Sequence, residues 1–322
     1  MARILATDAD RFQLGDADRE RLREAGIELA ELAGHDPGDV ADAAADVSGL
    51  LVYHLRVDVP LLDKLPECRV VARCGSGYDN IDVAAARARR IVVTYVPGYG
   101  SADVAEHALA LLLTSARRIT VADRAMRAGR WPAYADLGPL RRLTGRTLGL
   151  LGFGQIAREI AIRARCLGLR VVAHDPYVPD PEFAADGVAQ VTWQELLADS
   201  DILSIHVPLT PETSHLIDEE ALARIRPGAL IINTSRGGII DEKALAAALS
   251  DGRLGGAALD VFQAEPPPAN HPLFAREDVV VTPHSAAFTE EALAEVRARA
   301  IDDVVRVLTG GAACYPVPEG TT

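Results

Sequence analysis

Lysine, cysteine, methionine and tryptophan are scarce in this chain. Among 322 residues there are 4 Cys, 2 Met and 2 Trp, and Lys64 and Lys243 are the only lysines. Cys68, Cys74, Cys166 and Cys314 show no C-x-x-C spacing and are few for the length, so neither a disulfide framework nor a zinc site is signalled. Four free thiols and no bound metal are expected. Basic residues are outnumbered by acidic ones, 33 to 46, for a formal charge of -13. That balance argues against electrostatic capture of nucleic acid or of an anionic membrane. A small anionic substrate would need positive groups placed locally. No stretch approaches the roughly 20 apolar residues of a spanning helix. The first residues, MARILATDAD, lack the basic segment and apolar run of a signal peptide, so a cytoplasmic location is expected.

What is present is ordinary for globular protein: 49% hydrophobic and 25% charged residues, over a length sufficient for two domains. Apolar runs of strand length (RILAT, SGLLVYH, CRVVARC, IVVTYV) alternate with helix-period segments. This is the sequence form of βαβ units and predicts an α/β fold with parallel sheets. The rhythm changes at Ser101, where SADVAEHALALLLTSARRITVADRAMRA predicts one long helix to about Ala128, capped by Ser101. Such a helix would link two domains and offer a dimer surface. WPAYADLGPLRRLTG follows as an irregular excursion. A second series runs from TLGLLG to DVVVTPH, and a final helix is predicted from about Glu290 to Leu308.

The segment TLGLLGFGQIAREIAIRARCLGLRVVAHDP places Gly152, Gly154 and Ala157 in G-x-G-x-x-A spacing between a strand and a helix. Gly152 can make the tight turn, Gly154 lets the backbone approach a pyrophosphate, and Ala157 permits close helix packing. Gln155 and Ile156 would present amide N–H groups at a helix N-terminus, where an anion is favoured. Asp175 ends the next strand, 18 positions beyond Ala157. A carboxylate there can accept from both ribose hydroxyls and would repel a 2′-phosphate, so NAD is expected over NADP.

Three later segments follow predicted strands with a polar residue: Arg236 in INTSRGG, Glu265 in LDVFQAEP and His284 in VTPHSA. Open α/β sheets bind ligands at the carboxyl ends of their strands, so these residues could share one crevice. Reduction of a 2-oxo acid needs a proton donor that titrates near working pH, which imidazole supplies. It needs a carboxylate to support the imidazolium, and a guanidinium to bind the substrate carboxylate at two points. His284, Glu265 and Arg236 are of these three types. In the first half, Gly75, Ser76 and Gly77 form a turn whose N–H groups could hold a carboxylate.

The chain resembles the D-isomer-specific 2-hydroxyacid dehydrogenase family over nearly its whole length. The likeness is carried by RCGSGYDNID (73–82), VPGYGSADVAEHAL (96–109), LGFGQIA (151–157), NTSRGGIIDEKAL (233–245), GAALDVFQAEP (256–266) and TPHSA (282–286). It implies two doubly wound domains: a flavodoxin-like substrate domain, residues 1–100 and 288–322, and an inserted Rossmann NAD-binding domain, residues 101–287. It implies that Arg236, Glu265 and His284 are catalytic and that Asp260 holds the nicotinamide carboxamide. His206, Val207, Pro208, Thr213, Thr234 and Ser235 would line the cofactor, and Ser76 would touch cofactor and substrate. Tyr53, His54, Arg73, Gly75, Gly77 and Tyr99 would face the substrate, with Arg56 and Phe288 as further candidates. The implied activity is NAD-dependent reduction of a 2-oxo acid to the D-2-hydroxy acid, and the long helix at Ser101 suggests a homodimer.

The family's corepressor branch, an NAD-sensing binding module, is the alternative. Where that branch has a tryptophan three residues after the histidine, this chain has Ala287. Formate dehydrogenases carry glutamine at the position of Glu265, whereas a phosphite dehydrogenase would share the constellation.

Overall fold

The computed structural model describes residues 2–34, 36–44 and 46–318. It divides into two compact units, one made of the chain up to Tyr99 together with the segment from Thr289, the other of Gly100–Phe288.

In the first unit, strands β1 (Ala2–Ala6), β2 (Ile27–Glu31), β3 (Gly49–Val52), β4 (Val70–Arg73) and β5 (Val92–Thr94) alternate with helices α1 (Asp16–Glu24), α2 (Pro37–Ala43), α3 (Val59–Leu62) and α4 (Val83–Ala88). The strands form one parallel sheet in the order β2-β1-β3-β4-β5, the doubly wound order of flavodoxin-like domains. Aspartates start three of the helices: Asp36, Asp58 and Asp82 each accept backbone N–H groups of the first turn, satisfying donors that the helix cannot.

The second unit opens with α5 (Ser101–Ala116) and α6 (Ile119–Arg127), which corrects the single long helix expected over this stretch. Arg118, in the left-handed region at φ 53, separates them. The N–H groups of Arg117 and Arg118 close α5 on Leu113 O and Ser115 O, and the left-handed turn at Arg118 redirects the chain before α6 starts at Ile119. Ser101 is also not the cap: Gly100 occupies that position, without a side-chain bond.

Strands β6 (Thr147–Leu151), β7 (Arg170–His174), β8 (Ala189–Gln190), β9 (Ile202–Ile205), β10 (Leu230–Asn233), β11 (Gly256–Leu259) and β12 (Val279–Val281) follow, with α7 (Gln155–Cys166), α8 (Asp180–Ala185), α9 (Trp193–Asp199), α10 (Glu219–Arg224) and α11 (Glu242–Ser250) between them. The parallel order is β12-β11-β10-β9-β6-β7-β8. Counted within the unit this is 7-6-5-4-1-2-3, the 3-2-1-4-5-6 Rossmann order with one strand added. The strand order reverses between β6 and β9, the topological switch point.

Both faces of this sheet are covered, which is why its strands read as continuous apolar runs. Leu148, Leu150, Leu230 and Ile232 pack on one side with Ala105 and Leu112 of α5 and Ala157, Ile160 and Ala164 of α7. Leu151, Leu203, Ile205, Ile231 and Leu259 pack on the other with Leu196, Leu222 and Leu245. Ala157 is fully buried, as its place in the glycine-rich pattern requires.

Helix α12 (Glu290–Leu308), capped by Thr289, belongs to the first unit. Its Val296, Ala300, Ile301 and Val304 bury against Ile4, Ala6, Leu51, Val70 and Ala72. All four cysteines are free thiols, Cys68 and Cys74 buried, Cys166 and Cys314 exposed. No helix among the described residues is long and apolar enough to cross a membrane.

Candidate active site

The turn after β6 is built for close backbone approach. Gly152 has φ +89, and a Cβ there would lie 2.7 Å from the carbonyl oxygen of His206. Its N–H donates to His174 O at 2.9 Å, tying the turn to the end of β7. Gly154 is the N-cap of α7 without a side-chain cap, and a Cβ there would meet nothing within 4 Å. The amides of Gln155 and Ile156 therefore begin a helix over open space, where the orphan donors and the helix dipole favour an anion. Gln155 Oε1 accepts from Ser101 Oγ at 3.3 Å.

Asp175 follows β7 with its carboxylate fixed by two backbone donors, Phe153 N and Tyr177 N, each at 2.9 Å. Across the switch point, His206, Val207 and Pro208 follow β9. Thr213 closes that loop by donating to Pro208 O at 2.6 Å. Thr234 and Ser235 follow β10, and Ser235 Oγ donates to Ile205 O at 2.9 Å.

Two polar atoms along this edge, His206 Nδ1 and Thr234 Oγ1, are buried without a hydrogen-bond partner. Burial pushes the His206 imidazole down to about 3, so the ring is neutral at pH 7. Leaving a buried polar atom unmatched costs on the order of 1–3 kcal/mol. The open helix start, the fixed carboxylate and these two atoms at neighbouring strand ends together fit a dinucleotide.

The three residues singled out as a catalytic set follow the adjacent strands β10, β11 and β12. His284 Nδ1 and Glu265 Oε2 are 2.6 Å apart. Glu265 Oε1 accepts from Phe262 N at 2.9 Å, so both carboxylate oxygens are engaged. Arg236 is anchored through its backbone, with Asn233 Nδ2 donating to Arg236 O at 2.9 Å, and its Nη1 donates to Ser235 O at 2.8 Å. The next residue, Gly237, runs so close to the loop bearing Glu265 that a Cβ would lie 1.9 Å from Phe262 C. Glycine is what lets the Arg236 segment lie against the Glu265 segment.

His284 has φ +53, a conformation that costs a non-glycine residue about 1–2 kcal/mol. Asp260 holds it there. Its backbone oxygen accepts from His284 N at 2.7 Å. Its carboxylate accepts from Ser285 N and Ala286 N, each at 2.9 Å, and from Thr282 Oγ1 at 2.6 Å. Burial alone would raise the Asp260 carboxyl, but hydrogen bonds from His107, Thr282 and the two amides outweigh it and hold it down to about 2. Asp260 is therefore an anion at neutral pH.

Glu242 was not singled out from the sequence, yet it fixes the other side of the pair. Its Oε1 accepts from Gln263 N at 2.7 Å, and its Oε2 lies 3.1 Å from His271 Nε2. In the sequence Glu242 reads as an acidic residue in the first turn of α11, which is a sufficient local reason for it. His271 carries no sequence signal, because its role depends on a contact 29 positions away.

The candidates from the first unit lie at the carboxyl ends of β3, β4 and β5. Tyr53 and Arg73 are largely buried. The Tyr53 ring stacks on Phe12 at 4.7 Å, and the Arg73 guanidinium lies 5.3 Å above it. Arg73 Nη1 also donates to Cys74 O. His54 N donates to Asp8 Oδ2 at 3.0 Å, and Arg56 is exposed. Gly75 donates its N–H to Arg73 O at 3.0 Å, while Ser76 Oγ donates to Val96 O at 3.0 Å. Tyr99 packs at the edge of the core; Phe288, the last residue of the second unit, is half exposed.

The family model for the NAD-binding domain of D-isomer specific 2-hydroxyacid dehydrogenases matches residues 109–286. The chain is 44% identical to a (S)-sulfolactate dehydrogenase of Chromohalobacter salexigens, over 85% of this chain and 88% of that protein. It is 42% identical to a D-3-phosphoglycerate dehydrogenase of Mycobacterium leprae, over 83% of this chain. It spans about half the length of that relative, 50%. A crystal structure of a Thermus thermophilus protein superposes with a TM-score of 0.89 at 35% identity, covering 98% of this chain and 100% of the other.

Proposed function

The chain belongs to the D-isomer-specific 2-hydroxyacid dehydrogenase family, and from that premise we propose that Arg236, Glu265 and His284 are its catalytic residues. The protein is an NAD-dependent oxidoreductase that interconverts a 2-oxo acid and a 2-hydroxy acid. Its named relatives are dehydrogenases, so neither the NAD-sensing binding module nor phosphite oxidation is favoured.

The observation that carries the residue assignment is the 2.6 Å contact between His284 Nδ1 and Glu265 Oε2, beside a dinucleotide fold. With Nδ1 held by a carboxylate, Nε2 is the atom that exchanges the substrate proton. The Arg236 guanidinium pairs with the substrate carboxylate and polarises the adjacent carbonyl. When bound, NADH supplies the hydride that reaches the carbonyl carbon. His284 then completes the hydroxyl by giving its Nε2 proton to the oxygen, and Glu265 balances the charge that His284 carries beforehand.

Gly152, Gly154, Gln155 and Ile156 would hold the pyrophosphate, Asp175 the ribose, and Asp260 the carboxamide of the nicotinamide. His206, Val207, Pro208, Thr213, Thr234, Ser235 and Ser76 complete the cofactor contacts of this reading. Asp175 would favour NAD over NADP.

Recognition of the rest of the acid is assigned to the first unit: Tyr53, His54, Arg73, Gly75, Ser76, Gly77 and Tyr99, with Arg56. We take the substrate to be a 2-oxo acid with a second anionic group. Both relatives are named for such acids, one with a sulfonate and one with a phosphate, and Arg56 is an exposed arginine in the loop after β3. Oxidation of NADH by the purified protein should be followed with glyoxylate, phenylpyruvate, oxaloacetate, 3-sulfopyruvate and phosphohydroxypyruvate. Faster turnover of a sulfonated or phosphorylated acid supports this substrate class, and faster turnover of phenylpyruvate contradicts it.

A homodimer is part of this reading. Ile119 and Met126 on α6, then Trp131 and Tyr134, are exposed large apolar side chains within one short stretch. A cytoplasmic location also belongs to it, because the reaction draws on a pool of reduced nicotinamide.

A further inference from the structure

We propose that His107, on α5, is a positioning residue for the acid–base work of His284, acting through Thr282 and Asp260. The inference rests on the role assigned to His284 above.

The argument is one of proton accounting. Thr282 has a single hydroxyl proton, and it is directed at Asp260 Oδ1, 2.6 Å away. Asp260 accepts that proton's bond together with the N–H groups of Ser285 and Ala286, so the carboxylate acts only as an acceptor. Thr282 Oγ1, having given its proton to that bond, can only accept from His107 Nε2 at 3.1 Å. His107 therefore carries a proton on Nε2. The same nitrogen is 3.5 Å from Asp260 Oδ1, close enough to support the carboxylate directly.

The segment that this chain of bonds reaches carries His284. Thr282 N is bonded to Leu259 O and His284 N to Asp260 O. Ser285 N and Ala286 N are bonded to the Asp260 carboxylate, and Pro283 has no N–H. Every backbone donor from Thr282 to Ala286 is thus anchored on Leu259 and Asp260. His107 supports this anchor from a helix 175 residues away in sequence. Without its N–H, the Thr282 hydroxyl can turn towards other acceptors. The carboxylate then loses a bond, and the left-handed backbone at His284 loses part of what holds its imidazole on Glu265.

The test compares His107→Ala, His107→Gln, Thr282→Val and the His107→Ala/Thr282→Val double variant, with His284→Ala as reference. Each is assayed with NADH and whichever acid of the panel above the unaltered protein reduces fastest. NADH affinity comes from fluorescence and foldedness from melting temperature. His107→Ala and Thr282→Val should each lower kcat about 10- to 100-fold, with KM and NADH affinity within about 2-fold. The glutamine variant, whose amide N–H can reach Thr282, should recover most of the rate, and the double variant should be no slower than the worse single. If His107→Ala does not fold, Thr282→Val carries the test, since it removes only the hydroxyl.

A folded His107→Ala with unaltered kcat, or additive losses in the double variant, would overturn the inference. If His284→Ala is slow while the His107 and Thr282 variants are not, this inference alone fails. If His284→Ala keeps full turnover, the underlying assignment of His284 fails first.

Discussion

His284 Nδ1 meets Glu265 Oε2 at 2.6 Å although the two residues follow different strands. Each is fixed by a carboxylate that does not itself belong to the pair. Asp260 gathers the amides around His284, and Glu242 takes the amide of Gln263 in the loop that carries Glu265. The pair is thus held from two sides, which is the condition for a proton donor to keep its geometry through turnover.

Glu265→Gln keeps a hydrogen-bond acceptor but removes the charge. Reduction of the 2-oxo acid should fall about 100-fold, while NADH affinity changes by less than about 2-fold. Steady-state kinetics with fluorescence titration of NADH checks this. A glutamine variant with full turnover would remove Glu265 from the mechanism.

Asp175 is held by two backbone amides, and its carboxylate is the group proposed to bind the ribose. Replacement by Ser should lower the preference for NADH over NADPH about 10-fold or more, read as a ratio of kcat/KM values. An unchanged ratio would mean that the ribose hydroxyls are bound elsewhere.

The Asp260 carboxyl is held down to about 2, below its ordinary value near 4. A depressed folded-state value makes the anion a source of stability that is complete above about pH 4. That stability is lost as pH falls through about 2. The contribution is on the order of 2 kcal/mol. Unfolding by urea at a series of pH values should show a loss in this window that Asp260→Asn lacks. Parallel curves for the two proteins would contradict it.

Exposed Ile119, Met126, Trp131 and Tyr134 form the surface assigned to the dimer. Sedimentation should give twice the chain mass at micromolar concentration, and replacing Met126 and Trp131 by Glu should shift the protein towards monomer. A monomer in the unaltered protein would end this part of the account.

The sequence made the inner strands legible because they are buried on both faces, so that runs such as LIIN and ILSI stand out from polar helices. The glycine pattern was legible because Gly152, at φ +89 and against the carbonyl of His206, answers a steric demand that no other residue meets. Two of the edge strands, β2 and β8, were not. In β2, Ile27–Glu31, only Ile27 is fully buried, and β8 is two exposed residues. The break at Arg118 was hidden because a left-handed arginine has no side-chain signature. Of the candidate site, Arg236, Glu265 and His284 could be singled out from their places beyond apolar strands. His107 and Glu242 could not, since both sit in helices whose local pattern already accounts for them, and their partners come from distant parts of the chain.

The measurement that bears most directly on the central claim is the rate of NADH oxidation by His284→Asn with the preferred 2-oxo acid, alongside its NADH dissociation constant. The account predicts a fall in turnover of about 100-fold or more, with the dissociation constant within about 2-fold of the unaltered protein. Turnover near the original value, or losses of equal size in both quantities, would contradict the assignment of His284 as the proton donor.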